Sequence, residues 1–346
     1  MELGSKIRNL RYKAGLTQEQ LAERLGLSAQ SVSKWENAVS MPDISLLPDI
    51  AEVFGVSIDE LFDLTDEQKL RRIENRMDTE EELDADIFRE YEEFLRSRVD
   101  AGEDRQRSLS LLAHLYHHRL SSFAAKTARC AREAILLEPG KKDCQWLLQE
   151  AEGSAVWDWN VSNHSRSIEF FRQAIDSDRS EPKSALPFYY LIDNLLADRR
   201  IAEAREYLER MKALPSHNPR LVPAYEAAIA LGEFDEKRAD AIIEKSVAEH
   251  PDDDGYLFEA AQYYARKCGY DRAAELYEAS FEADRERPRF YDPLQAVAMI
   301  CEIRGDYGKA VEANKRILRC LREEWGFRDE VCVREIEREI DRLMRR

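Results

Sequence analysis

Glycine is scarce, 13 residues in 346, and nowhere gathers into the rich turn that cradles a phosphate. Nucleotide binding through such a loop is excluded. The six cysteines, at 130, 144, 268, 301, 320 and 332, include no CxxC pair. A zinc ribbon and a dithiol redox centre are therefore not encoded, and without an export signal the thiols read as reduced and mostly packing. No apolar run approaches the length of a membrane-spanning helix, and the opening MELGSKIRNLRYK has no apolar signal-peptide core. The expectation is a soluble, cytoplasmic protein with no membrane partner. Catalytic motifs are lacking too. His114 and His118 share a helix face, but HLYHH has no glutamate of a zinc-protease helix and no further ligand nearby. Asp252-Asp253-Asp254 reads as a solvated loop, and Trp157-Asp158-Trp159 as packing between helices. No metal, no cofactor and no enzymatic activity are expected.

What remains is charge and helical periodicity. The net charge of −17 is wrong for a nucleic-acid binder until its distribution is read. Residues 1–40 carry a net +2, residues 41–104 a net −14, and residues 105–346 a net −5. Lys6, Arg8, Arg11, Lys13 and Lys34 give the N-terminal end a local basic character. The acidic segment behind them repels nucleic acid and keeps the rest of the chain off it.

The basic end contains QEQLAERLGLSAQSVSKWEN, residues 18–37, spaced as two short helices crossing at a tight turn. Leu21, Leu25, Val32 and Trp35 tie the pair to a common core, and Ala22 permits a close crossing. Gly26 stands where the first helix must end in a left-handed conformation. Ser28 caps the second helix, and Thr17 with Gln20 forms a capping box for the first. A first helix is expected from about Leu3 to Ala14, closed by Gly15. A fourth begins near Leu47 with Pro48 in its first turn, and Gly55 ends it. Ser57 caps a short fifth carrying Ile58, Leu61 and Phe62.

These residues resemble the phage repressor and Cro class of helix-turn-helix proteins, the XRE family, over the first 64 residues. The resemblance implies a five-helix, lambda-repressor-like domain whose second motif helix lies in the major groove of double-stranded DNA. Position by position, it implies Ala29, Gln30, Ser33 and Lys34 as base readers, and Gln18, Ser28, Ser31 and Asn37 as phosphate contacts. It makes Arg11 and Glu36 a structural bridge between helices. Ala29 departs from the family pattern, since it offers at most a methyl to a thymine methyl, so readout leans on Gln30 and Lys34. The alternative is a three-helix packing unit that binds no DNA.

Residues 65–104 read as an acidic helical connector, with periodicity recovering at Ile87, Tyr91, Phe94, Leu95 and Val99. From 105 to 346 the chain is helical with a repeat near 34 residues. Ala204, Ala239, Ala273 and Ala310 mark four units, with Thr127 and Ser167 in the same place in two weaker ones. Helix-closing signals recur at Glu138-Pro139 and His250-Pro251. A charged helix, Asp329 to Arg345, caps the array. This is similar to tetratricopeptide (TPR) repeats, although the full tryptophan–glycine–tyrosine signature appears in no unit; the alternative is an irregular helical bundle. The fold class expected is all-α: a helix-turn-helix head, then a TPR-like α-solenoid.

Stacked helix pairs make a concave face lined by the first helix of each unit. The repeat register turns Tyr189, Asp193, Phe258, Gln262, Arg266 and Gln295 inward, a lining suited to an extended peptide; a solvated surface without a ligand is the alternative. Together these readings describe a transcription regulator that binds double-stranded DNA as a homodimer, because one short recognition helix on a net +2 head binds modestly alone. The body would dimerise, sense a peptide or protein, or both. The arrangement looks like peptide-sensing regulators that join an XRE head to TPR repeats, and that resemblance implies the sensing mechanism. The competing reading is a repeat adaptor for another protein, with the head as an assembly module.

Overall fold

The structure, a computed structural model, describes residues 3–56, 58–62, 65–141, 144–153 and 163–346. Ser57 and the Trp157-Asp158-Trp159 stretch lie outside the described residues. Every regular element among the described residues is a helix. The chain divides into two compact units, 1–123 and 124–346.

The first unit opens with α1 (Leu3–Lys13), α2 (Gln18–Arg24), α3 (Ala29–Glu36), α4 (Leu47–Phe54) and α5 (Ile58–Leu61). Their shared core is Leu3, Ile7, Leu21, Ala22, Val32, Trp35, Ile50 and Leu61, all buried. The local signals act as the sequence requires. Thr17 accepts from the Gln20 amide while Gln20 Oε1 accepts from the Thr17 amide at 2.9 Å, closing the capping box. Gly26 has φ +66°. Its own amide donates to the Glu23 carbonyl at 3.2 Å and that of Leu27 to the Ala22 carbonyl at 2.8 Å, a helix stop that satisfies two orphan carbonyls. Pro48 sits in the first turn of α4, where its missing N–H costs nothing. One constraint was invisible in the sequence. A Cβ on Gly4 would stand 1.8 Å from the Trp35 carbonyl oxygen, so α1 crosses α3 with backbone against backbone.

The charged segment after the head holds α6 (Asp66–Thr79) and α7 (Ala85–Ala101). Leu70, Ile73, Leu83, Tyr91 and Leu95 share a buried cluster with Leu111, Leu112 and Leu115, from the start of α8 (Arg105–Leu137). Outside this cluster the charges pair with each other: Arg107 reaches Glu67 at 2.8 Å and Glu74 at 3.3 Å. The unit expected around Thr127 does not form as a helix pair. Residues 105–137 are one unbroken helix, because RQRSLSLLAHLYHHRLSSFAAKTARCAREAILL contains neither glycine nor proline to end it.

The second unit continues through α9 (Gln145–Ala151) and α10 (Ser165–Ser177). Four helix pairs follow: α11 (Leu186–Ala197) with α12 (Ile201–Lys212), α13 (Val222–Gly232) with α14 (Glu236–Glu249), α15 (Asp254–Arg266) with α16 (Tyr270–Ala283), and α17 (Asp292–Ile303) with α18 (Tyr307–Glu323). The final helix is α19 (Val331–Met344). From α10 onward each helix packs on the next, and α13 also touches the first helices of the pairs on either side, α11 and α15. That is a solenoid stacking order. Ala204, Ala239, Ala273 and Ala310 are each 0% exposed, at the fourth position of the second helix in each pair. In α10 the fourth position is Ile168, which is buried; Ser167, expected there, is exposed. The sequence register slipped by one because neither residue offers the alanine signal.

The turns inside the pairs repeat more strictly than the sequence. Arg199, Phe234, Cys268 and Gly305 all take positive φ, at +59°, +62°, +57° and +76°. Each lies five residues before its buried alanine. Each time the following residue donates back to a helix carbonyl: Arg200 to Leu195, Asp235 to Ala230, Gly269 to Tyr264 and Asp306 to Cys301, at 2.8–2.9 Å. Only one of the four positions is a glycine, so the turn residue was not legible from composition. Gly269, which the sequence offers as the turn glycine, has an ordinary φ of −77°.

Candidate nucleic-acid interface

The recognition helix α3 is held from behind by one ion pair. Arg11 Nε donates to Glu36 Oε1 at 2.6 Å and its Nη2 to Oε2 at 2.9 Å, while its Nη1 reaches the Leu16 carbonyl at 2.8 Å. Both side chains are almost wholly buried. Burial pushes the Glu36 carboxyl up; hydrogen bonds from Arg11 and Gln18 and the charges of Arg11 and Arg8 outweigh it, and the group ends below its ordinary value. The bridge expected between helices is thus formed, and it is bidentate, the geometry that fixes orientation as well as distance.

The expected site residues divide by role. Gln30 and Lys34 are exposed one turn apart on α3, at the spacing that puts two side chains on one helix face. Ser33 is half-buried beside them. Ala29 is half-buried and packs against the head's core. Ser28 caps α3, accepting from the Ser31 amide at 3.2 Å, and the two hydroxyls lie 3.0 Å apart. Two expected phosphate contacts also serve the scaffold. Gln18 Nε2 donates to Glu36 at 2.8 Å. Asn37 Nδ2 donates to the Ser33 carbonyl at 2.9 Å, while its Oδ1 accepts from Arg8 at 2.7 Å. Arg8 also donates to the Glu36 carbonyl at 2.6 Å. Sequence reasoning counted Arg8 only as basic charge; its role as a clamp on the end of α3 depends on a contact 28 residues away.

In the second unit, the six residues expected to line a groove occupy different settings. Tyr189 stacks on Tyr225, centroids 6.3 Å apart and planes 9° from parallel. The Tyr225 hydroxyl donates to the Tyr189 carbonyl at 3.5 Å and lies beside the Asp193 carboxylate. Burial and then the Asp193 charge push the Tyr225 phenol well above its usual value. Asp193 is exposed by area, yet desolvation raises its carboxyl against the pull of Tyr225 and Arg266. Both properties hold together for a side chain touched by water but flanked by protein. Arg266 is exposed and Gln262 half-buried on α15, and Gln295 is exposed on α17. Phe258 instead packs against the core, edge-on to Tyr277 at 5.5 Å. Glu259 was missed. Burial, with Asp193 adding and Arg266 opposing, pushes its carboxyl up to about 7. Tyr225 was missed as well, because α13, VPAYEAAIALG, is apolar on nearly every side and has no stripe to orient it.

The histidines considered for a metal are engaged elsewhere: His118 Nε2 lies 2.6 Å from the Glu80 carbonyl and His114 Nδ1 2.9 Å from the Ser110 carbonyl. No helix among the described residues is long and apolar enough to cross a membrane.

Comparison with known proteins meets the head. The helix-turn-helix (HTH_3) family matches residues 7–61. The chain is similar to the transcriptional activator BcrR of Enterococcus faecalis, 42% identical over 76 residues, which are 22% of this chain and 37% of that protein. It thus spans little more than a third of that relative's length. It is also similar to an HTH-type transcriptional regulator of Archaeoglobus fulgidus, 36% identical over 64 residues, 18% of this chain and 91% of that protein. Among solved structures, PlcR of Bacillus thuringiensis, in complex with the peptide PapR7 and DNA, aligns over 100% of this chain and 99% of its own at 12% identity, with a TM-score of 0.28. The capped helix pair, the buried Arg11–Glu36 bridge and a relative matched over almost its whole length agree, and the chain belongs to the helix-turn-helix family of transcriptional regulators.

Proposed function

We propose that the chain is a sequence-specific, double-stranded DNA-binding regulator that works as a homodimer and whose repeat body takes a short peptide in its groove. The observation that carries the DNA reading is the recognition helix: Gln30 and Lys34 exposed on α3, with the helix fixed from behind by Arg11 and Glu36. Gln30 suits adenine and Lys34 suits guanine in the major groove. Gln18 opens α2, Ser28 and Ser31 stand at the start of α3 and Asn37 at its end, where phosphate contacts would set the register. Dimerisation follows from the weak basic charge of one head, and two heads on adjacent turns would read half-sites ~34 Å apart. The groove reading rests on Tyr189 and Tyr225 as an aromatic wall, with Asp193, Glu259 and Arg266 as polar anchors.

The test is binding to a selected operator as a function of salt. Wild type shows a steep salt dependence. Gln30→Ala and Lys34→Ala each weaken operator binding by ~1–3 kcal/mol and relax preference at particular base pairs. Full affinity and full selectivity in the double variant would overturn the base-reading assignment. Salt-independent binding would favour the adaptor reading of the whole chain.

A further inference from the structure

Away from the groove, a separate cavity of about 190 Å³ opens at the end of the third helix pair. It is lined by the start of α15 (Asp254, Gly255, Phe258), the end of α16 (Ser280, Phe281) with Asp284 just beyond it, Phe290, and the start of α17 (Asp292, Pro293). Its walls carry three phenylalanines and three aspartates, and no lysine, arginine or histidine. Such a lining repels anions and gives a neutral apolar ligand three carboxylates to desolvate. It suits a cation that is flat enough to lie on an aromatic ring.

We propose that this cavity binds a guanidinium group. Three observations carry the choice over other cations. First, the protein already uses that contact on the same wall. Arg289 and Arg316 place their guanidinium carbons 4.2 and 5.5 Å from the Phe281 centroid, and neither lines the cavity. A guanidinium stacks on an aromatic face, where a compact, strongly hydrated ammonium does so less well. Second, the carboxylates are not equally spent. Asp284 accepts from the Glu286 amide at 3.0 Å, and Asp254 faces Arg220 at 3.3 Å. Asp292, in the first turn of α17, is exposed and makes no hydrogen bond or ion pair among the described residues. Third, Phe290 is 65% exposed at the mouth although it is one of the largest apolar side chains in the unit. It meets Trp325 edge-on at 6.0 Å. In the bound state Phe290 and Phe258 would flank the cation, and Asp292 would accept its N–H groups.

Of the residues expected to line the groove, Phe258 borders this cavity; Tyr189, Asp193, Glu259 and Arg266, on which the groove reading rests, do not. The experiment is calorimetry on the full chain with N-acetyl-arginine amide and with free arginine. The neutral isostere N-acetyl-citrulline amide is the control. Either arginine compound saturating the protein one-to-one, with citrulline at least tenfold weaker, supports the site. The tighter of the two tells whether the group comes on a peptide or as a free metabolite. Asp292→Asn and Phe290→Ala, both at solvent-facing positions, should each weaken binding at least fivefold, while Arg266→Ala leaves it unchanged. Equal binding of arginine and citrulline compounds, no saturable binding of either, or an affinity unmoved by both variants would overturn the proposal.

Discussion

Gly4 has room for a hydrogen atom and nothing larger, because the Trp35 carbonyl occupies the place of its Cβ. Gly4→Ala must separate α1 from α3, and overpacking against backbone costs about 3 kcal/mol. Thermal unfolding should show the head losing stability, and operator binding should weaken while the repeat body melts as before. Nothing in the residues around Gly4 announced this; close approach is a property of two segments, and the sequence shows one at a time. Arg11 and Glu36 were legible only through family resemblance, as their contact spans 25 residues. Glu36 also gives a pH prediction. Its folded value lies below the ordinary 4.5, so its contribution is complete above 4.5 and disappears as the pH falls through the lower folded value. Acid titration followed by circular dichroism should show the head unfolding in that window, and Glu36→Gln should already be destabilised at neutral pH, by about 3 kcal/mol for an arginine left buried without its partner. Glu259 runs the other way. Its folded value is raised from 4.5 to about 7, so the body forfeits stability as the pH rises between the two. Glu259→Gln should therefore melt higher than wild type at pH 8, by on the order of 2 kcal/mol, with the gap closing near pH 4. An equal gap at both pH values would show that Glu259 is not held uncharged in the fold.

At the scale of elements, the head was readable because each boundary has its own chemical marker: Thr17, Gly26, Ser28, Pro48 and Gly55 fall where their helices begin and end. The repeats were readable at their alanines and not at their turns. Three of the four inner turns place Arg199, Phe234 and Cys268 in the left-handed region, where a side chain costs about 1–2 kcal/mol that glycine avoids. Some of that returns as glycine's greater freedom when unfolded. Phe234→Gly should thus raise the body's stability by about 0.5–1 kcal/mol, the more cleanly because Phe234 is 96% exposed and loses no core contact. Gly305→Ala should lower it by a similar amount. Urea denaturation of the two variants side by side checks the pair; changes of the same sign would refute the turn argument. The long helix α8 shows the opposite failure. Its sequence has repeat-like spacing around Thr127 but no residue that stops a helix, and the absence of a breaker outweighs the spacing.

At the scale of the molecule, charge distribution told more than total charge, since a net −17 would have argued against DNA. The homodimer is best tested by sedimentation of the full chain, alone and on operator DNA, and a dimer is expected at micromolar concentration. A fragment starting at residue 105 would mislead, because Leu111, Leu112 and Leu115 belong to the core built with α6 and α7 and would be laid bare. The neighbour-only packing of the repeats has a consequence for biosynthesis. Each helix from α11 onward finds its main partner in the helix just before or after it, within one repeat of about 35 residues. A ribosome takes roughly 2–7 s to extend a chain by that length, and helices form in about a microsecond. Every hairpin of the body can dock on its predecessor long before the next leaves the exit tunnel. Nascent chains arrested after α14 and after α16 should then show the earlier pairs already protected from protease, with only the newest helix open to cleavage.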